Sequence, residues 1–193
     1  IRDQLLSSSD AVVSDIPSDA EVEAAYLYWS AWRAESSKTI LFSDSFTGST
    51  DWNTGSNWEI NSGYARSHYG SGDESTRRLT MRDSLNLSSH SSGTVTVSWE
   101  QWEDGALESD DGLDFAFSAD GGNTWGDSIV AFRDDIGSSR VTYAYPVPAQ
   151  YLTADFRIGF YVSSMSGSGE YGYIDNIKIT AMVPDTSVVF EID

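Results

Sequence analysis

The chain of 193 residues contains no cysteine. Disulfides, thiolate zinc sites, iron–sulfur clusters and c-type haem are therefore excluded, and the redox compartment leaves no mark on the sequence. Basic side chains are scarce: 11 Lys and Arg stand against 30 Asp and Glu, for a net charge of -19. A field of that sign repels phosphate backbones and anionic lipid, so nucleic acid and membrane surfaces are poor partners, while cations and neutral sugars remain compatible. No apolar run is long enough to span a bilayer and no signal peptide is seen; the expectation is a mature or excised piece of something longer, with export to be argued from the fold. Helical periodicity is missing too. Asp19 to Ala25 has some helical propensity, but Ala24 to Trp32 is too aromatic and alternating for a surface helix.

Apolar bulk is plentiful. Hydrophobic residues make up 39% of the chain and aromatics 13%, with 7 Trp, 10 Tyr and 8 Phe, enough to fill a core without covalent staples. Their order has period two, as strands with one buried face require. Val95, Val97 and Trp99 alternate with polar residues, as do Leu113, Phe115 and Phe117, and then Phe156, Ile158, Phe160 and Val162. Tyr173, Ile177 and Ile179 supply a late strand. Turn clusters rich in Gly, Ser, Asn and Asp separate the runs, at 47–55, 70–75, 120–123 and 163–169. Many short strands between such turns predict an all-β fold, an antiparallel β-sandwich. The block 41–182 looks complete by itself. Residues 1–40 and 183–193 hold further strand-like segments, Val22 to Trp32 and Thr186 to Ile192, expected to pack on the sandwich or to form part of a second, outer β unit.

The stretch from Ser118 to Trp125 (SADGGNTW) fits the pattern Ser-x-Asp-x-Gly-x-Thr-Trp called the Asp box. Its chemistry is architectural. Asp120 turns back to accept backbone N–H groups, Gly122 permits positive φ, and Trp125 packs across the hairpin base with Ser118 at the strand end. Sialidases carry several such boxes, on a longer chain with an arginine cluster and a tyrosine nucleophile; a single box fits a binding or adhesion sandwich.

The block from Phe42 to Thr180 resembles jelly-roll ectodomains of the MAM, laminin-G and carbohydrate-binding-module type. The resemblance is carried by Phe42-Ser43-Asp44-Ser45-Phe46, Trp52, Trp58-Glu59-Ile60, Gly63-Tyr64-Ala65 and the closing Tyr173 to Ile179 (YIDNIKI). It implies a sandwich of jelly-roll type more than a function. It also implies a structural calcium between an acidic residue of the first strand and an Asp of the last, positions matched by Asp44 and Asp175. A denser acidic run, Glu100 to Asp114, includes Glu108, Asp110 and Asp111 in a loop-like stretch that offers oxygen ligands to calcium without EF-hand spacing; a solvated acidic loop is the other reading.

Catalysis is not expected. Glu100 and Asp104 flank Trp102 much as in a sugar-cleft strand of the laminarinase class of jelly rolls, but that family's Glu-x-Asp-x-x-Glu order is absent. His68 and His90 lie in polar contexts, and no nucleophile elbow, Walker loop or nucleotide fingerprint is present. Aromatic rings at Trp52, Trp58, Trp102 and Tyr69, with Trp29 and Trp32, fall in loops or on polar strand phases, where exposed rings would stack on sugars; packing in the core is the other reading.

Two functions follow. One is a non-catalytic extracellular structural or adhesion module of a prokaryotic surface protein or filamentous appendage, stabilised by calcium. Ala24 to Trp32 loosely resembles strands of uncharacterised prokaryotic surface proteins, some of them pilin-like, and Ser187 to Ile192 is a short apolar strand that could pair in a neighbouring copy or in cis. The alternative is a carbohydrate-binding module that holds glycans on exposed aromatics.

Overall fold

The structure is a computed structural model that describes residues 17–21, 38–68, 77–104, 107–108, 111–126, 129–133, 138–165 and 167–182. The chain divides into two units, residues 1–34 and 35–193. Of the first, residues 17–21 are described, a turn in which Ala20 N–H donates to the Pro17 carbonyl at 3.0 Å. The terminal strands expected at 22–32 and 186–192, with Trp29 and Trp32, lie outside the described residues.

The second unit is an antiparallel β-sandwich of jelly-roll type. Its described strands are β1 (Lys38–Asp44), β2 (Trp52–Thr54), β3 (Trp58–Asn61), β4 (Tyr64–Ser67), β5 (Arg78–Met81), β6 (Val95–Glu103), β7 (Gly112–Ser118), β8 (Ile129–Arg133), β9 (Val141–Pro146), β10 (Arg157–Ser164) and β11 (Gly172–Met182). One sheet runs β3-β4-β11-β6-β9, with β1 also paired to β11; the other runs β2-β5-β10-β7-β8. The longest strands, β6 and β11, pair through the middle of the first sheet, and β7 pairs with β10 in the second.

The core forms where the alternating apolar faces meet. Val95, Val97 and Trp99 of β6 and Ile174, Ile177 and Ile179 of β11 are buried with Leu113, Phe115 and Phe117 of β7 and Ile158, Phe160 and Val162 of β10. Trp99, fully buried, has its ring centroid 4.6 Å from that of Phe115 and 5.2 Å from that of Phe160, and its Nε1–H donates to Gln101 Oε1 at 2.8 Å. An indole can be buried this deeply because its one donor is satisfied.

Three details depart from simple alternation. Tyr173 does not share the inward face of Ile177 and Ile179. The pairing of β11 with β6 shifts register between Asp175 and Lys178, and Asn176 has φ 49°, so a bulge flips the phase and Ile174 turns inward instead. Every residue of β7 is buried, its polar phase included. Finally, Trp52 and Trp58, expected as exposed rings, are core residues at 3% and 5% exposure. Their indole N–H groups donate to Asp44 Oδ2 at 2.7 Å and to the Arg77 carbonyl at 3.1 Å, which removes the cost of burying them.

Candidate functional site

The turn 118–125 positions one candidate site. Ser118, fully buried at the end of β7, accepts the N–H of Gly122 at 2.9 Å and donates its hydroxyl to Asp120 Oδ1 at 2.8 Å. Asp120 in turn accepts the Thr124 N–H at 2.9 Å and the Thr124 hydroxyl at 2.6 Å. These donors, the Thr124 hydroxyl first, lower the Asp120 carboxyl to a pKa of about 2. Gly121 and Gly122 take φ of 74° and 87°, a conformation L side chains resist. The result is a tight corner that delivers Trp125 onto the second sheet.

There the indole lies over Gly159 of β10: a Cβ at that position would come within 2.8 Å of the ring. The Arg78 guanidinium sits 4.8 Å from the Trp125 ring centre and 4.4 Å from that of Tyr161. Cross-strand register then completes a row, since Thr80 of β5 stands opposite both Asn53 of β2 and Gly159 of β10. Arg157, two residues before Gly159 and so on the same face, donates through Nε to the Ser84 hydroxyl at 3.1 Å. Together these groups enclose a half-open cavity of about 510 Å³ with Trp125 as one wall and Asn53, Thr80, Asn123 and the two arginines around it. Among the described residues no acidic side chain lines it, although the chain as a whole carries a net charge of -19.

On the other sheet, half-buried Trp102 is already engaged within the protein. Tyr173 stacks on it at 5.1 Å with the planes 4° apart, the Arg140 guanidinium lies 4.0 Å from its centre, and Tyr64 meets it edge-on at 6.0 Å. Arg140 also pairs with Asp175 at 2.6 Å and Glu100 at 3.1 Å. Glu100, hydrogen-bonded first by Asn176 and then by Arg140, is held below the usual carboxylate range. Asp104, at the far end of the strand, accepts the Tyr173 hydroxyl at 3.3 Å. Both carboxylates that flank Trp102 thus serve this surface lattice.

Of the acidic residues singled out in the sequence, Glu108 and Asp111 come together, and Asp44 and Asp175 make hydrogen bonds of their own. Asp44 caps the turn after β1, accepting the Phe46 N–H at 2.7 Å, the Trp52 indole and the Ser49 hydroxyl. Asp175 pairs with Arg140 and accepts the Asn176 N–H at 2.6 Å. Each accepts hydrogen bonds from its own local donors. The carboxylates that do converge, among the described residues, are Glu108, Asp111 and Glu170, with one oxygen of each within 4.8 Å of the others. This cluster could hold a metal ion. Its hydrogen bond with Asp111, followed by desolvation and the charge of Glu170, raises the pKa of Glu108. Asp110 and Tyr69 lie outside the described residues.

Sequence reasoning singled out Glu108, Asp111 and Trp125 but missed Glu170, Arg78, Arg157 and Asn53. Glu170 follows a Gly-rich turn with no motif around it. The alternation Arg157, Gly159, Tyr161 was the one available signal for the cavity face. Among the described residues, no helix is long and apolar enough to cross a membrane.

The chain matches no protein-family model and no curated protein. Solved structures of similar fold include the K3 cleaved adhesin domain of Lys-gingipain from Porphyromonas gingivalis, at 14% identity and a TM-score of 0.48 over 75% of this chain and 99% of that one. Another is a family 27 carbohydrate-binding module of Caldicellulosiruptor saccharolyticus in complex with mannohexaose, at 13% identity and 0.48 over 74% and 96%. A third is a family 6 module of the Cellvibrio mixtus lichenase 5A in complex with cellotriose, at 14% and 0.44 over 75% and 100%.

Proposed function

We propose that this chain is a non-catalytic extracellular module that binds glycans in the cavity between the 118–125 turn and the second sheet. The observation that carries this reading is the composition of that cavity: one indole wall beside two guanidinium groups, two amides and a hydroxyl, in about 510 Å³. Sugars present C–H faces that pack on aromatic rings and hydroxyl pairs that accept from guanidinium and amide donors, so the two kinds of group belong together in a saccharide site. The volume suits a ligand of one or a few sugar rings. An exported setting fits the acidic surface.

The adhesive reading draws on strands at the two ends of the chain, outside the described residues, whereas glycan binding has named side chains to test. Titration calorimetry against a panel of neutral and acidic oligosaccharides is the experiment. Arg157→Ala and Asn53→Ala, both at accessible positions of the cavity rim, are expected to weaken binding about 10- to 100-fold, the value of one or two charge-assisted or amide hydrogen bonds. Absence of binding to every oligosaccharide, or binding that survives both substitutions unchanged, would refute the proposal.

A further inference from the structure

We propose that Glu108, Asp111 and Glu170 form a binding site for a hard divalent cation of the calcium type, which ties the loop between β6 and β7 to the loop between β10 and β11. The proposal is independent of the glycan site. It rests on geometry first. Oxygens that share one calcium ion at about 2.4 Å can lie no more than about 4.8 Å apart, and the three carboxylates each place an oxygen within 4.8 Å of the other two.

Burial supplies a second, separate reason. Asp111 is 1% exposed and Glu170 5%. Asp111 Oδ2 accepts the Glu108 N–H at 2.8 Å, but Oδ1, and Oε2 of Glu170, are buried with no hydrogen-bond donor among the described residues. Desolvated carboxylate oxygens need donors or a cation. Three carboxylates this close repel one another more as water is removed, and a bound cation is one way to relieve that repulsion.

Local backbone fits the purpose. Glu108 and Asp111 are joined by reciprocal bonds, since the Asp111 N–H donates back to the Glu108 carbonyl at 3.0 Å, and this fixes the Asp111 carboxylate against the Glu108 backbone. Across from them, the Glu170 carboxylate folds against Gly167, where a Cβ would collide with it. A side chain at 167 would displace the Glu170 carboxylate from this position. Carboxylates with neither histidine nor cysteine favour an oxygen-seeking ion over zinc or copper. Three carboxylate oxygens leave room for the carbonyl or water ligands that calcium takes up to its usual six to eight, whereas magnesium asks for a tighter octahedron.

Calorimetric titration of calcium into metal-free protein, with melting curves in calcium, magnesium and chelator, tests the site on the full chain. One bound calcium is expected, and at about 100-fold above Kd the Tm should rise by about 5–10 °C. Glu170→Gln keeps the shape and removes one charge. It is expected to fold with an unchanged or higher Tm in chelator and to lose the calcium-dependent rise; Glu108→Gln, at an exposed position, should do the same in part. A wild-type melt that ignores calcium would overturn the proposal, and so would a calcium response that both variants retain.

Discussion

Gly159→Ala tests the packing that builds the cavity, because its sign should depend on a side chain 34 positions away in sequence. In the native structure a Cβ at 159 would lie 2.8 and 2.9 Å from two atoms of the Trp125 ring and 3.3 Å from Thr80 Cγ2. Carbon atoms rest about 3.5–4.0 Å apart, so the indole has to retreat by roughly 0.7–1 Å. It is not free to do so, being fixed by the 118–125 turn behind it and by Arg78 across its face. Overpacking of this kind costs about 1–3 kcal/mol. Against that, replacing glycine in a strand removes about 0.4–1 kcal/mol of unfolded-chain entropy, so the net destabilisation should be about 0.5–2 kcal/mol. In a Trp125→Ala background the ring is gone and the Thr80 methyl has to give by only a few tenths of an ångström. The same Gly159→Ala should then be neutral or stabilising, by up to about 1 kcal/mol. Urea unfolding of the four proteins, followed by far-UV circular dichroism, yields the coupling energy, expected to exceed about 1 kcal/mol. Equal costs in both backgrounds, additive within about 0.5 kcal/mol, would refute this account of Gly159.

Trp99→Ala should cost about 3–5 kcal/mol by chemical denaturation, since a fully buried indole in contact with Phe115 and Phe160 leaves a large cavity. Asp44→Ala should cost about 2–4 kcal/mol, because it uncaps Phe46 at its φ of 55° and leaves the Trp52 N–H buried without an acceptor. It should nevertheless leave the calcium-dependent rise in Tm intact, so a lost response would return calcium to the first strand. Asp120 has its folded pKa lowered to about 2, so its contribution is fully present above the unfolded value near 4 and disappears as pH falls towards 2. The Tm difference between wild type and Asp120→Asn should therefore narrow over that window, and a difference constant with pH would contradict the hydrogen bonds assigned to it.

The strands of the core were legible because each obeys a period of two over five or more residues, so Val95 to Trp99 and Phe156 to Val162 declare their buried faces without help from the rest of the chain. Where a bulge intervenes the pattern misleads: parity assigns Tyr173 to the face of Ile177, and the left-handed Asn176 reverses it. Short strands gave less warning still. Trp52 and Trp58 open strands of three and four residues, too few to show a period, and their burial depends on acceptors, Asp44 and the Arg77 carbonyl, that only the fold brings near. Site residues suffered most. Glu108 and Asp111 are neighbours in sequence, whereas Glu170 reaches them through the return of β11 beside β6, and the cavity gathers Asn53, Arg78, Trp125 and Arg157 from four separate segments. An acidic run can be read along the chain, but a convergence of side chains belongs to the topology.

The pairing of β1 with β11 begins at Lys38 opposite Met182, so the sandwich is entered and left side by side at one edge. Tension applied between those two residues is directed across the ladder and opens its hydrogen bonds one after another, like a zip, instead of loading them all together in shear. Such a unit yields at low force when pulled in line. A single-molecule pulling experiment anchored at residues 38 and 182 should record soft, stepwise extension starting at β1.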